Sequence, residues 1–205
     1  MKRETGNNRT AADKRVSIQL KLGGHSFSKG MLPKKLLEGD AKVEFSVLTH
    51  KCLLVPGEMF DERAAAEYLA IEGLGCAQDE RAVCDFTEDG IVGVMAVSSG
   101  CADEICTLLG DRAVFTTPLV WHYAAQGKEM RIYTAGGVSF IKLYDGERLQ
   151  YAEAVRTSDS NDVLYYIALL DGVFALADYT AYIRGESASE TAKLIKRYFK
   201  KTKCE

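Results

Sequence analysis

Apolar and polar residues alternate in several short runs of this chain, and glycine-containing turns separate the runs. Residues 16–22 alternate at every second position, as a strand with one buried face does, and Gly23-Gly24 then predicts a hairpin into residues 25–28. The segment 30–40 contains Pro33 and is predicted to be a loop. Further strands are predicted at 43–48, 52–55, 81–86, 91–97 and 113–116, with helices at 61–69 and around 102–109.

The second half of the chain repeats this plan more clearly. Its strands are predicted at 130–135, 138–144 and 149–155, and the turns Gly136-Gly137 and Asp145-Gly146 join them into a three-stranded meander. A helix follows, with Asp159 or Ser160 as its N-cap and with Val163, Ile167, Leu170 and Phe174 spaced to face a core. A strand at 179–183 and a last helix complete a βββαβα order, and the last helix has a basic outer face.

Composition and charge limit the classes of protein to which this chain can belong. The chain has 205 residues, of which 47% are hydrophobic and 27% charged, so it can form a sizeable core. A formal net charge of -3 makes nucleic acid an unfavourable partner for the whole surface. No apolar run reaches the roughly 20 residues that span a bilayer, and the start of the chain lacks the apolar segment of a signal peptide, so a cytoplasmic protein is expected.

The same patterns divide the chain into three parts. Residues 1–15 are polar without periodicity and are expected to form a disordered arm. Residues 16–128 and 129–205 are expected to form two related subdomains, the second ending in the basic tail Lys200–Lys203. That tail reads either as a solvated end that frays or as a contact for an acidic partner or RNA.

Candidate chemistry is sparse. The six cysteines include no C-x-x-C pair and mostly lie in apolar runs, where free thiols behave as small hydrophobic residues. No sequence context marks a nucleophile of a Ser-His-Asp or Cys-His type. His25 lies in the first predicted turn, where it is either a surface residue or an anion contact.

Two halves that each begin with a three-stranded meander and continue αβα resemble the repeated subdomain of the actin-like ATPase superfamily, which has a ribonuclease H-like fold and includes Hsp70 and sugar kinases. The chain also resembles an uncharacterised bacterial family with a degenerate form of that fold. The resemblance covers residues 15–201 and rests on V-S-I-Q-L at 16–20 with S-F-S after the turn, L-V-P-G-E-M-F-D-E at 54–62, S-N-D-V-L-Y-Y-I at 160–167, and Y-I-R-G-E-S at 182–187 before L-I-K-R-Y-F. A weaker analogy reaches actin-like scaffolds of bacterial pilus and secretion machines.

The resemblance implies what an active member would need. Each meander would offer glycine amides to phosphate oxygens, and an aspartate at the turn would organise Mg²⁺ and its water. The two turns have the glycines, Gly23 and Gly24 in one and Gly136 and Gly137 in the other, but neither has the acid. ATP hydrolysis and a metal site are therefore not expected.

Two functions stay open, with a small enzyme unrelated to nucleotides as a third. The first is a non-catalytic interaction or scaffolding module with a protein partner and no cofactor. The second is a regulatory protein that binds ATP or ADP between the two subdomains, with the four glycines at the phosphates.

Overall fold

The computed structural model describes residues 16–28, 30 and 32–205, so the predicted arm at 1–15 lies outside the described residues. The first half contains the strands β1 Val16–Leu20, β2 Val43–Val47, β3 Cys52–Pro56, β4 Glu80–Phe86, β5 Ile91–Ser98 and β6 Ala113–Thr116, and the helices α1 Lys34–Glu38, α2 Ala65–Ile71 and α3 Ser99–Leu109. The second half contains β7 Lys128–Ala135, β8 Val138–Asp145, β9 Arg148–Arg156, α4 Ser160–Phe174, β10 Thr180–Gly185, α5 Ala188–Ile195 and β11 Lys201–Cys204.

The second half forms a five-stranded sheet in the order β11-β10-β7-β8-β9. Strands β7, β8 and β9 are the predicted antiparallel meander. Strand β10 then pairs in parallel with β7, and β11 pairs in parallel with β10. Gly136 and Gly137 have φ of 60° and 78°, as a two-residue turn of type I′ requires. The predicted βββαβα order is confirmed, but the tail is ordered as β11 rather than frayed.

The first half departs from the prediction at Gly23-Gly24. Neither the hairpin nor the three-stranded meander expected at the start of this half forms, because β1 pairs in parallel with β2, which pairs in parallel with β6. Residues 21–24 form a 3-10 turn instead. The Gly23 amide donates to the Leu48 carbonyl oxygen, and the Leu48 amide donates to the Leu20 carbonyl oxygen. The turn after β1 is therefore bonded to the residue that follows β2, and no strand returns from it along β1. The predicted loop at 30–40 also contains α1.

A second, antiparallel sheet of the first half has the order β3-β5-β4, with α2 against it. The strands predicted at 52–55, 81–86 and 91–97 are confirmed, and β5 is central, as its apolar run indicated. The helix predicted at 61–69 begins later, as α2, after a 3-10 turn over Glu62–Ala64.

One hydrophobic core joins the two halves. It contains Leu20, Phe45 and Leu119 from the first half together with Tyr133 and Phe140 from the second. A separate core lies between the five-stranded sheet and the helices α4 and α5, and the four inward residues predicted for α4 are buried or half-buried there. No helix in the described ranges is long and apolar enough to cross a membrane.

Candidate functional site

A cleft of about 560 Å³ lies where the 3-10 turn after β1 meets the turn between β7 and β8. Gly23, Gly136 and Gly137 line this cleft, so the fold brings together three of the four glycines that the sequence singled out. Gly24 is not among them, because it is buried against α3, where an added Cβ would lie 2.9 Å from the sulfur of Cys101.

Two of the glycine amides already have partners within the chain. The Gly23 amide donates to the Leu48 carbonyl oxygen at 3.2 Å. The Gly136 amide donates to Oε2 of Glu186 at 3.1 Å, and the other carboxylate oxygen of Glu186 lies 3.6 Å from Nζ of Lys21. The Glu186 carboxylate therefore accepts the hydrogen bond from the amide that a bound phosphate would use.

Glu186 reaches this position because β10 ends beside β7. Its own amide donates to the Thr134 carbonyl oxygen at 2.8 Å, and the preceding Gly185 has φ of 100°. An added Cβ on Gly185 would lie 2.1 Å from that same oxygen, so the turn requires glycine. The sequence pattern did not indicate this contact, because residues 134 and 186 lie in separate predicted elements.

Basic side chains of the cleft also lie against acidic side chains of the same protein. Lys51 and Glu80 form an ion pair at 2.5 Å, and both side chains are largely buried. His25 is a surface residue and lies 3.7 Å from carboxylate oxygens of both Glu80 and Asp79. Its neighbours are therefore acidic side chains of the chain itself, which disfavour the binding of a phosphate beside it.

A second contact crosses between the halves at the cleft. Nε of Arg156 donates to Nδ1 of His50 at 3.2 Å. Burial, followed by the charges of Arg156 and Lys51, lowers the pKa of His50, so that its ring accepts this hydrogen bond in the neutral form.

The acids of the cleft do not form a metal site. Within residues 16–28, 30 and 32–205, no three His, Cys, Asp or Glu side chains are grouped closely enough to hold a metal ion. Glu186 at the Gly136 turn and Glu80 in the lining of the cleft each lie against a lysine.

Comparison with solved structures decides the fold. The chain superimposes on a protein of unknown function from Bacteroides thetaiotaomicron VPI-5482, described as having an actin-like ATPase fold, with a TM-score of 0.68 and 12% sequence identity over 84% of this chain and 74% of that one. This chain has the actin-like ATPase fold. A looser superposition, with a TM-score of 0.49 and 10% identity over 86% of this chain and 78% of the other, matches a structure of the PilM-PilN type IV pilus biogenesis complex. No protein-family model and no curated protein matches the sequence.

The actin-like fold of this chain carries a second concavity, which the sequence did not indicate. A groove of about 600 Å³ lies between β3 and β9, with α2 on one side. The lining is largely apolar and includes Leu53, Tyr68, Ile71 and Tyr151. Ile71 is 79% exposed and Met59, also on the groove, is 69% exposed. Exposed large apolar side chains beside a groove are typical of a surface that binds another molecule.

Proposed function

We propose that this protein is a non-catalytic interaction module that keeps the actin-like fold as a rigid support for binding another protein. The observation that carries the proposal is the apolar groove between β3 and β9, whose rim exposes Met59 and Ile71. Such side chains are unfavourable in water unless a partner covers them. The groove lies between strands of both halves, 16–128 and 129–205, which share a core and would present it as one unit.

The cleft between the halves supports the non-catalytic part of the proposal. Phosphoryl transfer needs positioned cations and donors that face the phosphates. Here Glu186 accepts from the Gly136 amide, and Lys51 is paired with Glu80. A nucleotide would first have to displace these contacts.

The proposed setting is the cytoplasm. All six cysteines are free thiols, and Cys106 and Cys204 are exposed, which fits a reducing compartment. Lys201 and Lys203 of the tail lie on β11, where Nζ of Lys203 donates to the Tyr182 hydroxyl at 3.0 Å. Nucleic acid is not part of the proposal.

A nucleotide-binding protein is the second candidate, because one cleft contains Gly23, Gly136 and Gly137 together with Lys51 and Arg156. Calorimetry with Mg-ATP and Mg-ADP separates the two functions. We expect a flat titration for the unmodified protein. Saturable binding that is lost in Gly136→Val and kept in Gly146→Val would establish the second candidate and refute the first. Gly146 is the matched control, because it has the same φ of 60° in the next turn and does not line the cleft.

A further inference from the structure

The groove runs along the edges of two strands. It is lined by every residue of β3 and by the consecutive residues 149–153 of β9. Side chains on a strand alternate between the two faces of a sheet, so a groove that touches consecutive residues faces the strand's edge, where backbone N–H and C=O groups point.

Neither strand uses this edge for pairing within the described residues. Strand β9 is at the end of the five-stranded sheet and pairs with β8, while β3 is at the end of its own sheet and pairs with β5. The two strands approach each other closely, but the backbone hydrogen bonds found between the described elements include none from β3 to β9. An exposed strand edge is a template for one more strand.

Of the two edges, β9 is the more accessible. Residues 149–153 are exposed or half-buried, whereas Cys52 and Val55 of β3 are buried. The opposite wall, formed by β3 and α2, is firm. The Tyr68 hydroxyl donates to the Met59 carbonyl oxygen at 2.8 Å and accepts from the Asp61 amide at 3.1 Å, which fixes the segment before α2.

The charge of the groove indicates the chemistry of its occupant. Glu72 and Glu153 line it and are exposed, and its lining contains no lysine or arginine. The carboxylate of Glu153 accepts a hydrogen bond from the Tyr151 hydroxyl, which holds it beside the edge of β9. An apolar floor with carboxylates at the rim complements an apolar segment that carries basic side chains.

We propose that the groove binds an extended segment of a partner protein, with alternating apolar side chains and at least one lysine or arginine, which adds as a strand to the free edge of β9. The inference rests on the proposed interaction function and names the partner's chemistry. Backbone pairing with β9 would supply affinity that does not depend on sequence. The apolar floor and the carboxylates would supply the selectivity.

A random dodecapeptide library displayed on phage tests the proposal. It is selected on the unmodified protein and counter-selected on Ile71→Glu, a change that the fold should tolerate because Ile71 is 79% exposed. We expect enriched peptides to alternate apolar residues, to contain lysine or arginine and to lack proline at their centre. Their synthetic forms should bind at least about tenfold more weakly to Ile71→Glu and to Glu153→Lys. They should bind unchanged to Leu169→Glu, which alters an exposed apolar residue of α4 outside the groove.

The same peptides, N-methylated at every second amide, should lose binding in one of the two registers, because a strand pairs through alternate amides. Groove-dependent peptides that are acidic, proline-rich or spaced as a helix would overturn the strand proposal and leave the interaction module standing. The absence of any groove-dependent peptide would overturn both. A dimer in sedimentation that dissociates in Ile71→Glu would show that a second copy is the occupant, which also overturns the proposal.

Discussion

Replacing Lys142 with methionine should stabilise the protein near neutral pH. Lys142 lies on β8 and is buried, and its Nζ donates to the Trp121 carbonyl oxygen at 2.7 Å. Burial lowers its pKa from 10.5 to about 7, although the charge of Asp89 opposes the shift. At about 1.36 kcal/mol for each pH unit, the charged amine disfavours the folded state by up to about 5 kcal/mol.

Other contacts of the amine reduce this figure. Nζ lies 5.6 Å from the ring centroids of both Tyr123 and Tyr144, and two such contacts stabilise the cation by about 1 kcal/mol. Losing the hydrogen bond to Trp121 costs about 1–2 kcal/mol. The net gain expected for Lys142→Met at pH 6 is therefore about 2–3 kcal/mol.

The stability difference between Lys142→Met and the unmodified protein should depend on pH, and this dependence tests the explanation. A lowered pKa in the folded state makes Lys142 least favourable at or below pH 7, and the unmodified protein regains stability between pH 7 and 10.5. By pH 9 it should regain about 3 kcal/mol, which removes the advantage of the variant. Urea unfolding of both proteins at pH 6 and pH 9 measures this, and groups common to both cancel in the difference.

Lys193→Met is the control, because Lys193 is exposed on α5, and its effect should stay below about 0.5 kcal/mol at both pH values. A difference between Lys142→Met and the unmodified protein that is the same at pH 6 and pH 9 would show that the Lys142 pKa is not lowered.

Two further changes test the second half. Gly185→Ala should lower the free energy of unfolding by about 3 kcal/mol or more, because an alanine Cβ would lie 2.1 Å from the Thr134 carbonyl oxygen, whereas Gly172→Ala, in open space on α4, should raise it by about 0.5–1 kcal/mol. Equal effects of the two changes in thermal or urea unfolding would contradict this reading of the turn. Asp159→Ala should lower the same quantity by about 1–2 kcal/mol, because Oδ1 of Asp159 accepts from the amides of Asn161 and Asp162 at the start of α4. Asp159→Asn keeps an accepting oxygen and should be nearly neutral, so a loss as large as that of the alanine variant would exclude capping as the cause.

The second half could be predicted because its signals are local. The turn at Gly136-Gly137 fixes the register of β7 and β8, and the alternation on either side belongs to strands that are neighbours in sequence. The first half offered a similar signal at Gly23-Gly24 and gave the wrong pairing. The partner of β1 is β2, more than twenty residues further along the chain, and alternation is the same in a strand whether its neighbour is parallel or antiparallel.

The candidate sites likewise have some features that local sequence predicted and others that it did not. Gly23, Gly136 and Gly137 were recognisable because a two-glycine turn stands out in any sequence, and the fold does bring them to one cleft. The occupation of the Gly136 amide by Glu186 depends on β10 lying beside β7, which no local pattern contains. The groove was missed for a related reason, since its two walls are edges of different sheets.

The sequence by itself determined the α/β class, the meander of the second half with its turn at Gly136-Gly137, and the buried faces of its helices, because each of these depends on residues close together in the chain. The tertiary structure decided that β1 pairs in parallel, that Glu186 and Lys21 meet at the Gly136 turn, and that β3 and β9 leave an apolar groove between two unpaired edges. These features depend on contacts between distant segments, and only the packing of both halves around one core brings those segments together.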